Sequence, residues 1–292
     1  MSTLALHQKI GLGTVQLGLA YGINNQTGKP AQQEAFAILD EAHRSGITLL
    51  DTADAYGDSL DVLGRYIRAH GQKSFVIVNK FIHTGAPLAE KMDAGLSRLG
   101  ATRLYGYMYH RFQDYRDGAC REELQAYKNK KVVEKVGVSL YDLHELEQAV
   151  RDPFVDLIQL PVHPFDFSAG KKALLQEAKR QGKEIHVRSV FFQGLFFKDP
   201  ETLTGNLTVF REPLLQLKEI AREHRLDIQT MCLNYALHCE TIDKVIIGVD
   251  SAAQLQKNMA SIVTDYPASI ASALESIVIT TPEVLNPSAW KP

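Results

Sequence analysis

Short apolar runs alternate with amphipathic segments along most of this chain. The apolar runs begin near residues 10, 47, 75, 104, 132, 157, 184 and 244, and their length and composition predict eight strands. Between them lie segments whose apolar residues recur at helical spacing. One of these segments, residues 31–45, ends at Gly46, a plausible C-terminal cap. Eight strands, each followed by a helix, predict an α/β fold: a single-domain (β/α)8 TIM barrel over residues 1–292.

An open, doubly wound parallel sheet is the alternative fold. Such sheets often carry a glycine fingerprint at the first strand, and the opening strand-like stretch Lys9–Leu17 does contain Gly11 and Gly13. However, no third glycine opens a helix at the required distance. We therefore interpret these glycines as tight backbone near a pocket mouth. The segment after Tyr266 lies outside the eight units and is predicted to pack over the barrel or near its mouth.

Composition narrows the function classes. The 292 residues are 45% hydrophobic, enough for a large core, and 32 basic residues nearly balance 34 acidic ones. Because no basic block occurs, a nucleic-acid partner or an anionic membrane surface is not expected. No apolar run spans a bilayer and Met1–Lys9 lacks a secretion signal, so a cytoplasmic location is expected. Three cysteines without a CxxC pair predict no metal site, and the oligomeric state stays open.

Four reactive side chains follow predicted strands. The apolar run Ile47–Leu50 ends on Asp51, a carboxylate that needs a partner if it is buried. Tyr56 lies five residues further on, and two later strands end in Lys80 and in His110. Parallel α/β barrels gather their chemistry at the carboxyl ends of the strands. The pattern therefore predicts that these four side chains meet there.

Together, the four groups suit acid catalysis at a carbonyl. A lysine ammonium near a phenol lowers the pKa of the phenol, and a carboxylate keeps that lysine charged and oriented. Tyr56 is thus a candidate general acid toward a carbonyl oxygen, with Lys80 and Asp51 behind it. His110 can hydrogen-bond the same oxygen or relay a proton. Since no side chain supplies hydride, a reduction would need a cofactor.

At this point the chain resembles the aldo-keto reductase family over essentially its whole length. The resemblance rests on Gly-Leu-Gly-Thr at 11–14, Leu-Asp-Thr-Ala-Asp-Ala-Tyr-Gly at 50–57, Lys80, His110, Gly-Val-Ser at 137–139, Gln159 and Ile-Ile-Gly-Val at 246–249. It implies a barrel that binds NADPH across its rim without a Rossmann domain. It also implies that Tyr56 donates the proton and that Asp51, Lys80 and His110 complete a tetrad.

The resemblance further implies a set of cofactor-binding residues. Ser139 and Gln159 would bind the nicotinamide carboxamide, and the region after strand eight would hold the adenosine end, with helix N-terminal amides suited to an anion. The full implied set is Ser139, Gln159, Arg188, Gly194, Gly248, Gln254 and Asn258.

Three departures from the family pattern involve four positions. Leu140 stands where an asparagine commonly follows the serine, and Arg188 stands where an aromatic residue usually lies under the nicotinamide. A guanidinium can stack on the ring or turn to an anionic substrate. Gly248 and Gln254 occupy positions that are often basic, leaving Lys257 as the nearby cation. A missing arginine weakens discrimination against NADH. The resemblance nevertheless implies NADPH as the cofactor, with NADH possible.

The expected activity is reduction of an aldehyde, ketone or sugar-type carbonyl. Two alternatives stay open: a Schiff-base aldolase using Lys80, and a nucleotide-binding barrel without catalysis. His163 and several aromatic residues after strands are predicted either to line the pocket or only to pack: Tyr21, Phe81, Phe112 and Phe165.

Overall fold

Eight parallel strands form a closed barrel. The computed structural model describes residues 2–25, 28–72 and 74–291. Neighbouring strands pair in sequence order, and the last strand pairs back onto the first. The strands are β1 (Ile10–Gly13), β2 (Leu49–Asp51), β3 (Val76–Phe81), β4 (Leu104–Tyr109), β5 (Val133–Ser139), β6 (Leu157–Pro161), β7 (Glu184–Arg188) and β8 (Lys244–Gly248). The predicted single-domain (β/α)8 barrel is confirmed.

Helices connect the strands and cover the outside of the barrel. They are α1 (Thr3–Gln8), α2 (Val15–Gly18), α3 (Gln32–Arg44), α4 (Ser59–His70), α5 (Leu88–Leu99), α6 (Phe112–Arg116), α7 (Arg121–Asn129), α8 (Leu143–Arg151), α9 (Ala169–Arg180), α10 (Arg211–Glu223), α11 (Ile228–Leu237), α12 (Ala252–Ala260) and α13 (Ala268–Glu275). Three 3₁₀ segments, Phe192–Phe197, Pro200–Thr202 and Gly205–Phe210, lie between β7 and α10.

The prediction of one strand over Lys9–Leu17 is wrong. The strand ends at Gly13 because Thr14 turns the chain: its backbone N–H and its hydroxyl both donate to the carbonyl oxygen of Asp51, each at 2.9 Å. Helix α2 follows and brings Gly18 against the loop after β2. A Cβ at Gly18 would collide with the carbonyl oxygen of Tyr56. The first loop therefore supports the loop that carries Tyr56.

The barrel interior is filled by apolar side chains below the strand ends. They come from five strands and are all buried: Leu49, Val78, Met108, Leu157 and Ile246. Gly11 packs against these interior side chains, since a Cβ there would lie 2.6 Å from Ile246 Cδ1. The expected tight backbone is present, but at Gly11 it belongs to the interior rather than to a pocket mouth.

The segment after Tyr266 packs near the barrel mouth, as predicted. The Trp290 ring lies 5.1 Å from the Phe192 ring between centroids, and its Nε1 donates to the Val284 carbonyl at 2.8 Å. Asn206 adds two hydrogen bonds to the same tail, to the carbonyl of Ala289 and from the N–H of Lys291. The C-terminal tail thereby holds the segment that follows β7.

Candidate active site

A cavity of about 370 Å³ opens at the carboxyl ends of the strands. Nine of the residues predicted to act in catalysis or cofactor binding line it: Asp51, Tyr56, His110, Ser139, Gln159, Arg188, Gly194, Gly248 and Gln254. The tenth and eleventh, Lys80 and Asn258, are not on its wall. Side chains predicted from separate stretches of sequence are therefore brought to one place.

Asp51 and Lys80 form a buried ion pair. Asp51 ends β2 and Lys80 lies near the end of β3. Lys80 Nζ is 2.5 Å from Asp51 Oδ1, and the two side chains are 1% and 4% exposed, respectively. The second carboxylate oxygen accepts a hydrogen bond from Gln159 Nε2 at 2.7 Å. Burial lowers the pKa of Lys80, and the Asp51 charge opposes that shift. Each charge thus has the partner that a buried charge requires.

Tyr56 and His110 lie in front of this pair. Lys80 Nζ is 5.2 Å from the centroid of the Tyr56 ring. The Tyr56 and His110 rings meet edge to face, with centroids 5.6 Å apart. The structure therefore brings all four predicted side chains together, with Asp51, Tyr56 and His110 on the cavity wall and Lys80 behind them.

Hydrogen bonds fix the short loop that presents Tyr56. Thr52 N–H donates to Val78 and Asp54 N–H donates to Lys80, so the loop continues along β3. Asp54 Oδ1 in turn accepts from Asn79 Nδ2 at 2.9 Å. After Tyr56, Gly57 has φ +57° and lies so close to α2 that a Cβ would be 2.5 Å from the Gly18 carbonyl oxygen. Only glycine fits that position without strain.

The direction of the pKa shift of Tyr56 differs from the sequence expectation. We expected Lys80 to lower the pKa of the phenol, but burial raises it, Asp51 raises it further, and only Arg188 lowers it. Desolvation outweighs the nearby cation because a phenolate loses its hydration when it is buried. Tyr56 consequently keeps its proton, which is the form that a proton donor needs.

His110 is a neutral imidazole. Burial first, and then the Lys80 charge, lower its pKa to about 4. Among the described residues its buried Nδ1 atom has no hydrogen-bond partner. A neutral ring beside the phenol can offer one N–H to an oxygen without adding charge.

Ser139 and Gln159 lie side by side at the ends of β5 and β6. Gln159 Oε1 is buried and, within the described residues, has no hydrogen-bond partner. A buried acceptor of this kind suits an amide N–H supplied by a ligand. These two residues therefore fit a carboxamide such as that of nicotinamide.

Arg188 ends β7 and is held on two sides. Its Nη2 donates to the Leu140 carbonyl at 3.0 Å, and its guanidinium carbon lies 4.4 Å from the centroid of the Tyr141 ring. The backbone carbonyl of Leu140 and the ring of Tyr141 therefore anchor the guanidinium of Arg188.

The loop after β7 has an unusual backbone. Ser189, Phe192 and Gln193 have φ of +64°, +48° and +53°, and Gly194 has +92°. The loop after β1 ties it down: Ile23 N–H donates to the Gln193 carbonyl and Asn24 Nδ2 donates to the Gly194 carbonyl at 2.6 Å. Left-handed non-glycine residues are strained, and such strain concentrates at functional sites.

The β8 end is less suited to an anion than we expected. Of the first amides of α12, Ala252 N–H donates to the Glu34 carboxylate at 2.7 Å and Gln254 N–H donates to Ser251 Oγ at 3.1 Å. Gln254 Oε1 accepts from Asp250 N–H. These amides are therefore occupied, and a carboxylate lies among them.

Two predicted pocket residues point elsewhere. Asn258 is buried, and its Oδ1 accepts from Gln229 Nε2 at 2.8 Å. His163 stacks on Phe192 with centroids 4.2 Å apart, inside an aromatic cluster. Of the four aromatic candidates only Tyr21 lines the cavity; Phe81, Phe112 and Phe165 do not. Their place after a strand indicated the rim but not the direction of the side chain.

Sequence reasoning also missed several cavity residues. Among those that follow β1, β5, β7 and β8 without a recognised motif are Gln16, Asn24, Asn25, Tyr141, Ser189, Gln193 and Asp250. The sequence feature that could have identified them as cavity residues is their position soon after a strand.

The Aldo/keto reductase family model matches residues 9–279. The chain belongs to the aldo-keto reductase family. It is therefore an oxidoreductase of the aldo-keto reductase type. Aldo-keto reductase str7 from Strobilurus tenacellus is 25% identical over 79% of this chain and 77% of its own length. D-threo-aldose 1-dehydrogenase from a Pseudomonas species is 24% identical, over 93% and 97% of the two chains.

The chain is also similar to a reductase whose name specifies its cofactor and to a solved aldo-keto reductase structure. The NADH-specific methylglyoxal reductase of Escherichia coli K12 is 23% identical over 87% of this chain and 89% of its own. The holo form of aldo-keto reductase AKR11C1 from Bacillus halodurans superposes with a TM-score of 0.74, at 18% identity and 92% coverage of each chain. At this identity the likeness establishes the barrel fold alone.

Two searches of the described residues gave negative results. No group of three or more His, Cys, Asp or Glu side chains there could hold a metal ion. None of the helices found there is both long enough and apolar enough to cross a bilayer.

Proposed function

We propose that this aldo-keto reductase uses NAD(P)H to reduce an aldehyde, ketone or sugar-type carbonyl to the alcohol, with Tyr56 as the proton donor. The observation that carries the proposal is the cluster at the cavity: a protonated phenol and a neutral imidazole in front of the Lys80–Asp51 pair. The relatives named for aldose oxidation and methylglyoxal reduction support the same reaction class.

The residues divide the work of the reaction. A bound nicotinamide supplies hydride. Tyr56 gives its proton to the carbonyl oxygen, and the Lys80 ammonium, 5.2 Å from the ring centroid, stabilises the phenolate that forms. Asp51 keeps Lys80 charged and fixed. His110 orients the oxygen through a neutral N–H, so that proton and hydride arrive in a directed geometry.

The cofactor fits the wall between β5 and β8. Gln159 Oε1 and Ser139 would hold the carboxamide, and Gly248 would let the chain of the cofactor pass close to the backbone. At the adenosine end we infer a preference for NADH over the NADPH expected from the resemblance. Glu34 and Asp250 place carboxylates there, and a 2′-phosphate would be repelled by them.

The Schiff-base alternative is disfavoured by the position of Lys80. Its ammonium is bonded to Asp51, its side chain is 1% exposed, and it does not reach the cavity wall. A carbonyl would have to displace Tyr56 to meet it. Borohydride treatment with substrate should therefore leave no adduct on Lys80.

The test is the Tyr56→Phe variant. Turnover of a panel of aldehydes should fall by about 100- to 10,000-fold, the usual contribution of a general acid. The Kd for NADH and for NADPH, from cofactor fluorescence, should change little, and NADH should bind more tightly. Tyr127→Phe, on the outer helix α7, is the matched control and should keep its activity. Full activity of the Tyr56 variant would exclude the proposed proton donor.

A further inference from the structure

Arg188 is a cation at the cavity, and no counter-ion for it is found among the described residues. Its guanidinium lines the same cavity as Tyr56 and His110. Its contacts are the Leu140 carbonyl, at 3.0 Å, and the Tyr141 ring. In the described part of the chain it forms no ion pair, whereas the other cation of the site, Lys80, is paired with Asp51.

The carboxylates around Arg188 are already engaged. Glu145 Oε2 accepts from the N–H of Tyr141 at 2.6 Å, as part of the cap of α8. Asp166 Oδ1 binds Lys171 Nζ at 2.6 Å. Asp250 lines the β8 side of the same cavity and accepts from Asn25 Nδ2 at 3.0 Å.

The described groups around the Tyr56 hydroxyl carry no net charge toward a ligand, and the Asp250 carboxylate lies at the β8 side of the cavity. Lys80 and Asp51 compensate each other, burial keeps the Tyr56 phenol protonated by raising its pKa, and the His110 pKa of about 4 keeps that ring neutral at pH 7. Among the described residues near Tyr56 and His110, Arg188 therefore carries the uncompensated positive charge. An uncompensated cation in a partly buried site favours an anionic ligand.

We propose that the carbonyl substrate bears an anionic group, a carboxylate or a phosphate, and that Arg188 binds this group while Tyr56 and His110 hold the carbonyl oxygen. The inference rests on the proposed function of the same cavity. The guanidinium uses one donor on Leu140 and one face on Tyr141, which leaves N–H groups for two ligand oxygens. Because these contacts hold the fork in place, binding an anion orders little else.

The anion also resolves a charge conflict. The oxidised nicotinamide ring is cationic, so a bare guanidinium beside it would oppose the oxidised state. An anionic substrate or product in contact with Arg188 cancels that repulsion. Arg188 is then a specificity-determining residue for the substrate.

The experiment compares matched substrates. The probes are 4-carboxybenzaldehyde against 4-carbamoylbenzaldehyde, and glyceraldehyde 3-phosphate against glyceraldehyde. In the unaltered protein kcat/KM should favour the anion by roughly 10- to 100-fold in at least one pair, the range for a hydrogen bond to a charged group. The pair with the larger ratio identifies carboxylate or phosphate as the group.

Variants then assign the preference to Arg188. In Arg188→Met the ratio of kcat/KM for the anionic substrate to kcat/KM for the neutral one should approach one. Arg188→Lys keeps the charge and should give an intermediate ratio. Arg180→Met removes an exposed arginine on α9 and should leave the ratio unchanged. The proposal is overturned if the unaltered protein shows no preference for the anionic substrate. It is also overturned if Arg188→Met lowers kcat/KM by the same factor for the anionic and the neutral substrate.

Binding separates this proposal from the proposed function. Calorimetric titration of 4-carboxybenzyl alcohol and 4-carbamoylbenzyl alcohol in the presence of cofactor needs no turnover. Tighter binding of the carboxylate, lost in Arg188→Met, supports the anion site even if no carbonyl is reduced. Equal binding of the two alcohols overturns it even if reduction proceeds.

Discussion

The buried Lys80–Asp51 pair should be a large source of conformational stability that depends on both partners. Lys80→Met removes the ammonium and leaves the Asp51 carboxylate, 4% exposed, with Gln159 as its remaining hydrogen-bond donor among the contacts described. Removal of one partner of a buried pair typically costs about 3–5 kcal/mol. Because Gln159 still solvates one oxygen, we expect about 3 kcal/mol.

A double-mutant cycle tests the reasoning. Asp51→Asn alone leaves an unpaired ammonium, whereas the double variant Asp51→Asn/Lys80→Met leaves no buried charge. The double variant should therefore be more stable than the sum of the two single losses by about 2 kcal/mol. The free energy of unfolding would be measured by urea titration followed by circular dichroism, with equal m values as the check on two-state behaviour.

The matched control is an exposed ion pair. Lys29 and Asp58 are 43% and 39% exposed, so Lys29→Met should cost less than about 1 kcal/mol. A loss below 1 kcal/mol in Lys80→Met, or strict additivity in the cycle, would refute the view that Asp51 depends on Lys80 for its burial.

Three shorter predictions concern the same cavity. The His110 pKa of about 4 lies below the ordinary 6.5, so as the pH falls from 6.5 to 4 only the unfolded chain gains that proton. Urea titrations should show the free energy of unfolding falling by up to about 3 kcal/mol over this range, and by less in His110→Gln. The same pH dependence in both proteins would contradict this. Trp290→Ala should cost about 2 kcal/mol in thermal or urea unfolding and weaken cofactor binding, because Trp290 packs on Phe192; unchanged cofactor fluorescence titrations would contradict the link. Gln254→Arg should raise the affinity for NADPH relative to that for NADH about tenfold, as measured by the same titrations. An unchanged ratio of the two affinities would mean that the adenosine end does not bind near residue 254.

The barrel was predictable because its evidence is local. Apolar runs at strand length, separated by helical periodicity, identify eight units without knowledge of any contact. The error at Lys9–Leu17 has a tertiary cause. Val15 and Leu17 suit a strand, but the hydrogen bonds from Thr14 to the Asp51 carbonyl turn the chain, and those partners are 37 residues apart.

The site was predictable where a residue type is unusual for its position. A carboxylate, a lysine and a histidine that end apolar strands stand out, so Asp51, Lys80 and His110 could be placed at one rim. The protonation of Tyr56 could not be inferred from charge alone. It depends on how much water the phenol loses, which only the packing decides.

Side-chain direction after a strand was not predictable. His163, two residues after β6, turns into an aromatic cluster, and Asn258, on α12, turns to Gln229. The left-handed residues after β7 gave no signal either, since Phe192 and Gln193 are not residue types that favour positive φ.

The loop after β7 connects stability to cofactor and substrate binding. Three non-glycine residues with positive φ cost of order 1–3 kcal/mol each, so the loop persists only because other elements hold it. Those elements are the β1 loop, through Asn24 and the Gly194 carbonyl, and the C-terminal tail, through Trp290 and Phe192. Since the loop begins directly after Arg188, changes in either element should move the guanidinium as well as the cavity wall. If Arg188 binds the substrate as proposed, substrate preference should therefore depend partly on residues that never touch the substrate.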